Sequence, residues 1–310
     1  MDIAVYLTSP LQFRGCCLSD YPFTFGDHHA NQVAAAYQNM CDMLIKRGVH
    51  RFTYLYFGAE FCEYLIPSQQ DLEQYVEICR ANDLRPVFVT PVVTDRGLDR
   101  LRECFDHLDA SGIPYAVVVN DLGVLQLLCS RPRVPELIAG RILDKTSHDC
   151  RISENEMGAY YSASGMRYAS EPGILSDHST GILAPLGISR YEFDLPKTGL
   201  DLKRSGSGRG LYWPFHYLTT GRVCMFRALG KTGRRNFSSD KPPAREAAKR
   251  WNWNCANPST AILLSTVSER IISIYSKRET RFSTFTKIPI LQNRSNSLTG
   301  SFCNCFKEYL

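Results

Sequence analysis

The chain has 310 residues, 44% of them hydrophobic, which is long enough for one large domain or two ordinary ones and too apolar for wholesale disorder. Its net charge of +5 is unevenly spread. Residues 231–310 hold 14 Lys/Arg against 5 Asp/Glu, whereas residues 1–230 hold 22 against 26, so a nucleic-acid-binding reading has to rest on the last quarter. The opening "MDIAVYLTSP" has no basic n-region, and no run approaches the 18 or so apolar residues of a membrane span, so the expected location is the cytoplasm. The twelve cysteines are then expected to be reduced, and clusters of them point to metal before disulfide.

In chain order, "IAVYL" (3–7) reads as an apolar strand and residues 31–48 as a helix closed by Gly48. "RFTYLYFG" (51–58) is the second strand. A helix over 68–83 follows, with Ser68 as its N-cap. "RPVFVTPVV" (85–93) and a helix over 97–112 come next, then "YAVVVND" (115–121), a helix opening at "LGVLQLLCS", and "ELIAGRIL" (136–143). Further strands are expected at 181–187, 190–196 and 211–218, and "RSGSGRG" (204–210) reads as a loop, since a phosphate cradle should open a helix rather than precede a strand. This alternation predicts parallel strands with crossover helices. No GxGxxG follows the first strand, so we expect a (β/α) barrel of TIM type, incompletely closed, over residues 1–230. Residues 231–310 are expected to form a basic, poorly ordered tail: they contain 18 Ser/Thr and a single Val.

A barrel of this kind carries its chemistry in the loops after the carboxyl ends of the strands. Cys62 falls in such a loop, flanked by Glu60 and Glu63. Asn120 and Asp121 end the fourth strand, where Asp121 also suits the N-cap of the next helix. Arg141 and Lys145 follow the fifth strand and read as solvated basic residues. Cys224 follows the "GR" turn at 221–222. Cys41, Cys79, Cys104 and Cys129 sit on apolar helix faces and read as small core residues.

"YLYFGAEFC", "VNDLGVLQLL", "LIAGRILDK" and "YLTTGRVC", in this order over residues 1–230, resemble the motif series of the collagenase-like peptidase family U-32, and within it the UbiV-type iron–sulfur branch. The resemblance implies a barrel-like fold and a 4Fe-4S cluster on four cysteines serving an oxygen-independent hydroxylation of the ubiquinone-biosynthesis kind. It also implies a second family member or a redox protein as partner. Cys62 matches the first ligand and Cys224 the second. The close pair that should follow is absent, and Cys255 alone lies in reach.

The codons of Trp251–Cys255 explain this departure. Read two bases out of register, they force Glu-Leu-Glu-Leu, an alternating strand. In that register Pro243-Ala244 and Ala247-Ala248 each permit Cys, giving Cys-x-x-x-Cys where the resemblance requires a pair. The expectation is a frameshift between Gly230 and Pro243. The alternative is a genuine basic tail touching nucleic acid through its Arg and Lys. Two other functions stay open: a hydrolase using Glu60 or Asp121 as base, although neither HExxH nor GxSxG occurs, and a structural zinc site on the same cysteines.

Overall fold

The structure is a computed structural model that describes residues 2–21, 30–144, 161–165, 171–194, 208–213 and 261–265, with the backbone alone at 30–36, 213 and 261–265. Strands β1 (Asp2–Leu7), β2 (Tyr54–Gly58), β3 (Arg85–Val89), β4 (Ala116–Val119), β5 (Glu136–Ala139), β6 (Ile188–Phe193) and β7 (Gly208–Trp213) lie side by side in chain order, each parallel to the next. β8 (Ala261–Ser265) runs antiparallel between β7 and β1 and completes the ring. It lies beyond residue 230, where the sequence reading ends the barrel. Helices α1 (Ala30–Lys46), α2 (Gln69–Asn82), α3 (Asp95–Ser111), α4 (Leu122–Cys129) and α5 (Asp177–Leu183) occupy the connections. No helix among the described residues is long and apolar enough to cross a membrane.

The parallel strands read as near-continuous apolar runs because both their faces are buried. Alternate residues separate into two layers. Ala4, Tyr54, Tyr56, Val87, Val89, Ala116, Val118, Ile138 and Tyr212 point inward and pack with one another inside the barrel. Val5, Leu55, Phe57, Phe88, Val117, Val119, Leu137, Tyr191 and Phe193 point outward against the helices. There Phe57 stacks on Tyr75 of α2 at 4.6 Å and on Phe88 at 5.5 Å, and Phe88 meets Phe105 of α3 edge-on. On α3, Leu101, Cys104, Phe105 and Leu108 form the buried stripe at i, i+3, i+4 and i+7. Ser68 caps α2 as expected, accepting from the Asp71 amide at 3.2 Å while the Asp71 carboxylate accepts from the Ser68 amide at 3.0 Å.

Two expectations fail. Residues 181–187 are not a strand: α5 continues through Leu183 into a 3-10 turn at Ala184–Leu186, closed by Gly187 at φ +85°. The Ser176 hydroxyl accepts from the Ser179 amide and starts that helix. Only Leu183 of the apolar residues in this run is buried, while Ile182 is 52% exposed, so its alternation was not that of a barrel strand. In "RSGSGRG", residues 208–210 open β7 instead of lying in a loop. Gly208 stands opposite Arg190, and a Cβ there would come within 2.7 Å of Arg190 Cγ, so the glycine serves packing inside the barrel.

Gly58 ends β2 at φ +123°, and a Cβ there would sit 2.3 Å from the Val89 carbonyl oxygen. Gly48, also at positive φ, has open space around it. Gly58→Ala is therefore expected to lower stability by about 2–3 kcal/mol and Gly48→Ala by about 1 kcal/mol, measured by urea unfolding. Equal costs would refute the close-approach account.

Candidate functional site

The inward positions of β6 break the apolar rule. Arg190 and Glu192 alternate with outward Tyr191 and Phe193, and Asp194 follows on the same side. All three are buried, at 9%, 1% and 3% exposure. Glu60, after the carboxyl end of β2, and Arg141, after that of β5, complete a polar cluster at the mouth of the barrel.

Arg141 is the centre of this cluster. Its Nε and Nη2 donate to Glu60 Oε1 and Oε2 at 2.9 and 2.6 Å, and its Nη1 donates to Asp194 Oδ1 at 2.5 Å. The guanidinium lies 3.8 Å from the centroid of the Tyr212 ring and 5.3 Å from that of Phe61. The expectation of a solvated Arg141 is thus overturned: it is 6% exposed and joins the ends of three strands. Burial would lower its pKa, but the charges of Asp194 and Glu60 raise it, so it stays charged. Burial also pushes the Glu60 carboxyl up, against the pull of Arg141. Lys145 lies outside the described residues.

Beneath this tie, Glu192 accepts from Tyr56 Oη at 2.7 Å and from Tyr212 Oη at 2.9 Å. Arg190 Nη2 donates to Tyr56 Oη at 3.0 Å and lies 5.2 Å from the Tyr54 ring. Asn120 braces the neighbouring loops: Nδ2 donates to the Thr90 carbonyl at 2.9 Å and Oδ1 accepts from the Ile142 amide at 3.2 Å. Sequence reading missed Glu192, Asp194, Tyr56 and Tyr212. Charged residues at every second position of "RYEFD" were the signal that could have found the two acids.

Of the two weak candidate bases, Asp121 is the α4 N-cap, accepting from the Gly123 amide at 2.7 Å. Glu60 is held by two guanidinium hydrogen bonds inside the protein. Neither is presented to a substrate by the described residues. A groove of about 610 Å³ opens at the other end of the barrel, lined by Tyr54, Arg80, Arg85, Asp109, Arg133 and Glu136 among others.

Cys62 is half-buried in the loop from β2 to α2. It precedes a 3-10 turn at Glu63–Leu65, and both flanking acids are anchored. Glu60 is held by Arg141. Glu63 Oε2 accepts from the Thr94 amide at 2.8 Å and the Thr94 hydroxyl at 2.9 Å, while the Glu63 carbonyl accepts from Arg100. Cys41, Cys79 and Cys104 are core thiols as expected, and burial pushes them up to about 11, 12 and 12. Cys129 is not: it ends α4, exposed. Cys224 and Cys255 lie outside the described residues, and among the described residues no group of three metal-ligating side chains occurs.

β7 ends at the mouth with Trp213, and antiparallel β8 begins there with Ala261, which pairs with Tyr6. The end of β7 and the start of β8 therefore both lie at the face that carries Cys62. No protein-family model, no curated protein and no solved structure matches this chain.

Removing Arg141 would strand two buried carboxylates. Arg141→Met is expected to destabilise the fold by about 3–5 kcal/mol, read as a lower urea midpoint, and Arg141→Lys should recover only part, since an ammonium cannot match the two-point contact to Glu60. Full recovery by Lys would show that charge alone matters there.

Proposed function

We propose that this chain is an iron–sulfur protein of the U-32 kind, built on the barrel and acting in electron transfer for an oxygen-independent hydroxylation, together with a redox partner protein. The observation that supports the reading is the position of Cys62, half-buried in the loop after β2 at the mouth of the barrel. That loop is pinned at both sides, and the end of β7 and the start of β8 lie at the same mouth. Cys255 precedes Ala261 by six residues and Cys224 follows Trp213 by eleven.

Cys62 suits a ligand better than the core cysteines do, because a ligating sulfur must be a thiolate and burial keeps those three protonated. A bound cluster would supply one-electron transfer, with a potential set by exposure and by hydrogen bonds to its sulfurs. The protein's share is to hold Cys62 in place through Glu60, Glu63 and Arg141. The remaining ligands are Cys224 and the Cys-x-x-x-Cys pair of the alternative reading frame, with Cys255 as the weaker substitute in the frame as written.

Full-length protein purified without oxygen and reconstituted with iron and sulfide should be brown and contain iron and sulfide, and Cys62→Ser should lose most of both. Colourless protein that retains zinc through Cys62 would favour a structural zinc site, and protein that binds neither metal would overturn the reading. Re-reading the coding DNA across codons 225–260, with peptide masses from the expressed protein, should return Glu-Leu-Glu-Leu after a cysteine pair. Peptides of "WNWNCANPST" would instead establish the frame as written.

A further inference from the structure

The barrel core contains three carboxyl groups, Glu60, Glu192 and Asp194, against two guanidinium groups, Arg141 and Arg190. Among these described groups one negative charge is in excess, in a place that solvates charge poorly. The two cations are not shared equally. Arg141 makes three hydrogen bonds to Glu60 and Asp194 and none to Glu192 among those described. Arg190 reaches Glu192 through the Tyr56 hydroxyl, to which it donates. Glu192 is thus the carboxyl whose described hydrogen-bond partners are neutral hydroxyls.

We propose that the barrel core binds one exchangeable proton, on the Glu192 carboxyl between Tyr56 and Tyr212. Tyr56 Oη already accepts from Arg190, so its own proton points to Glu192 Oε1 and keeps that oxygen an acceptor. The bound proton then resides on Oε2, facing Tyr212, whose ring lies against Arg141. Through that contact the proton senses charge at the mouth: a cation arriving there favours its release, and an anion favours its retention.

The groups that face Glu192 are limited. β1 contributes Tyr6, β2 contributes Tyr54 and Tyr56 with Glu60 beyond its end, and the loop after β5 contributes Arg141. β6 itself adds Arg190 and Asp194, and β7 adds Tyr212. The inward residues of β3 and β4 are Val87, Val89, Ala116 and Val118, and β8 contains no titratable residue. Burial pushes the Glu192 carboxyl up to about 7, against the hydrogen bond from Tyr56, the charge of Arg190 and the hydrogen bond from Tyr212. A carboxyl raised in the folded state contributes stability that is complete below its ordinary value of 4.5 and is lost as pH rises through about 7.

Infrared difference spectra of the full-length protein between about pH 5 and pH 9 test this directly, because a protonated carboxyl has a C=O band separate from those of carboxylates. The expected result is one buried carboxyl band that fades near neutral pH and is absent from Glu192→Gln. Tyr212→Phe, which removes one hydrogen bond to the charged form, should move the midpoint upward. Wild-type protein without such a band at about pH 6 would overturn the proposal. So would a band that survives in folded Glu192→Gln, or a midpoint unmoved in Tyr212→Phe, which also serves if Glu192→Gln does not fold.

Discussion

The Arg141 guanidinium, withdrawn from water between Glu60 and Asp194, is the contact on which the mouth of this barrel depends. Taking a guanidinium and two carboxylates out of water costs several kcal/mol per ion, and only good geometry offsets that. Here the geometry is good: two parallel hydrogen bonds to Glu60, one to Asp194, and the Tyr212 ring against the flat face of the cation. The tie joins the ends of β2, β5 and β6. It thereby orients the loop that carries Cys62, which has no regular strand or α-helix of its own to hold it. Cys62 is flanked by this ion pair on one side and by the Glu63–Thr94 bonds on the other.

Below the tie the interior is layered by chemistry rather than by size alone. At the amino-terminal end the Tyr54 ring lies between the guanidinium groups of Arg85 and Arg190. In the middle, Tyr56 and Tyr212 close on Glu192. On the β3–β4 side the lining is valine and alanine. The polar axis is thus concentrated on β2, β6 and β7, and it fits because Gly208 leaves room for the Arg190 stem. An apolar barrel interior would not need that glycine.

This layering also explains what could be read from the chain in advance. Strands β1 to β5 and helices α1 to α4 were legible because each has a periodic apolar pattern bounded by recognisable signals, such as Ser68 before α2 and Asp121 before α4. The site was only partly legible. Cys62, Glu60 and Arg141 were noticed from their loop positions, but the pairing of Glu60 with Arg141 spans 81 residues and leaves no local trace. Glu192 drew no reading of its own, because alternation alone does not say which face is wet when both are enclosed. The 181–187 segment misled for a related reason: three apolar residues around a proline suit either a strand or the frayed end of a helix.

The direction of the eighth strand sets the end of the barrel at which it begins. In a regular (β/α) barrel the chain returns from the mouth to the floor before every strand, so residues just ahead of a parallel β8 would lie at the floor. Cys255, six residues before Ala261, would then be held at the end away from Cys62. Because β8 pairs antiparallel with both β7 and β1, its first residue is at the mouth instead. Backbone pairing of five residues thus sets where β8 begins in the ring. The same holds in the alternative reading frame only if its strand enters the ring in this direction.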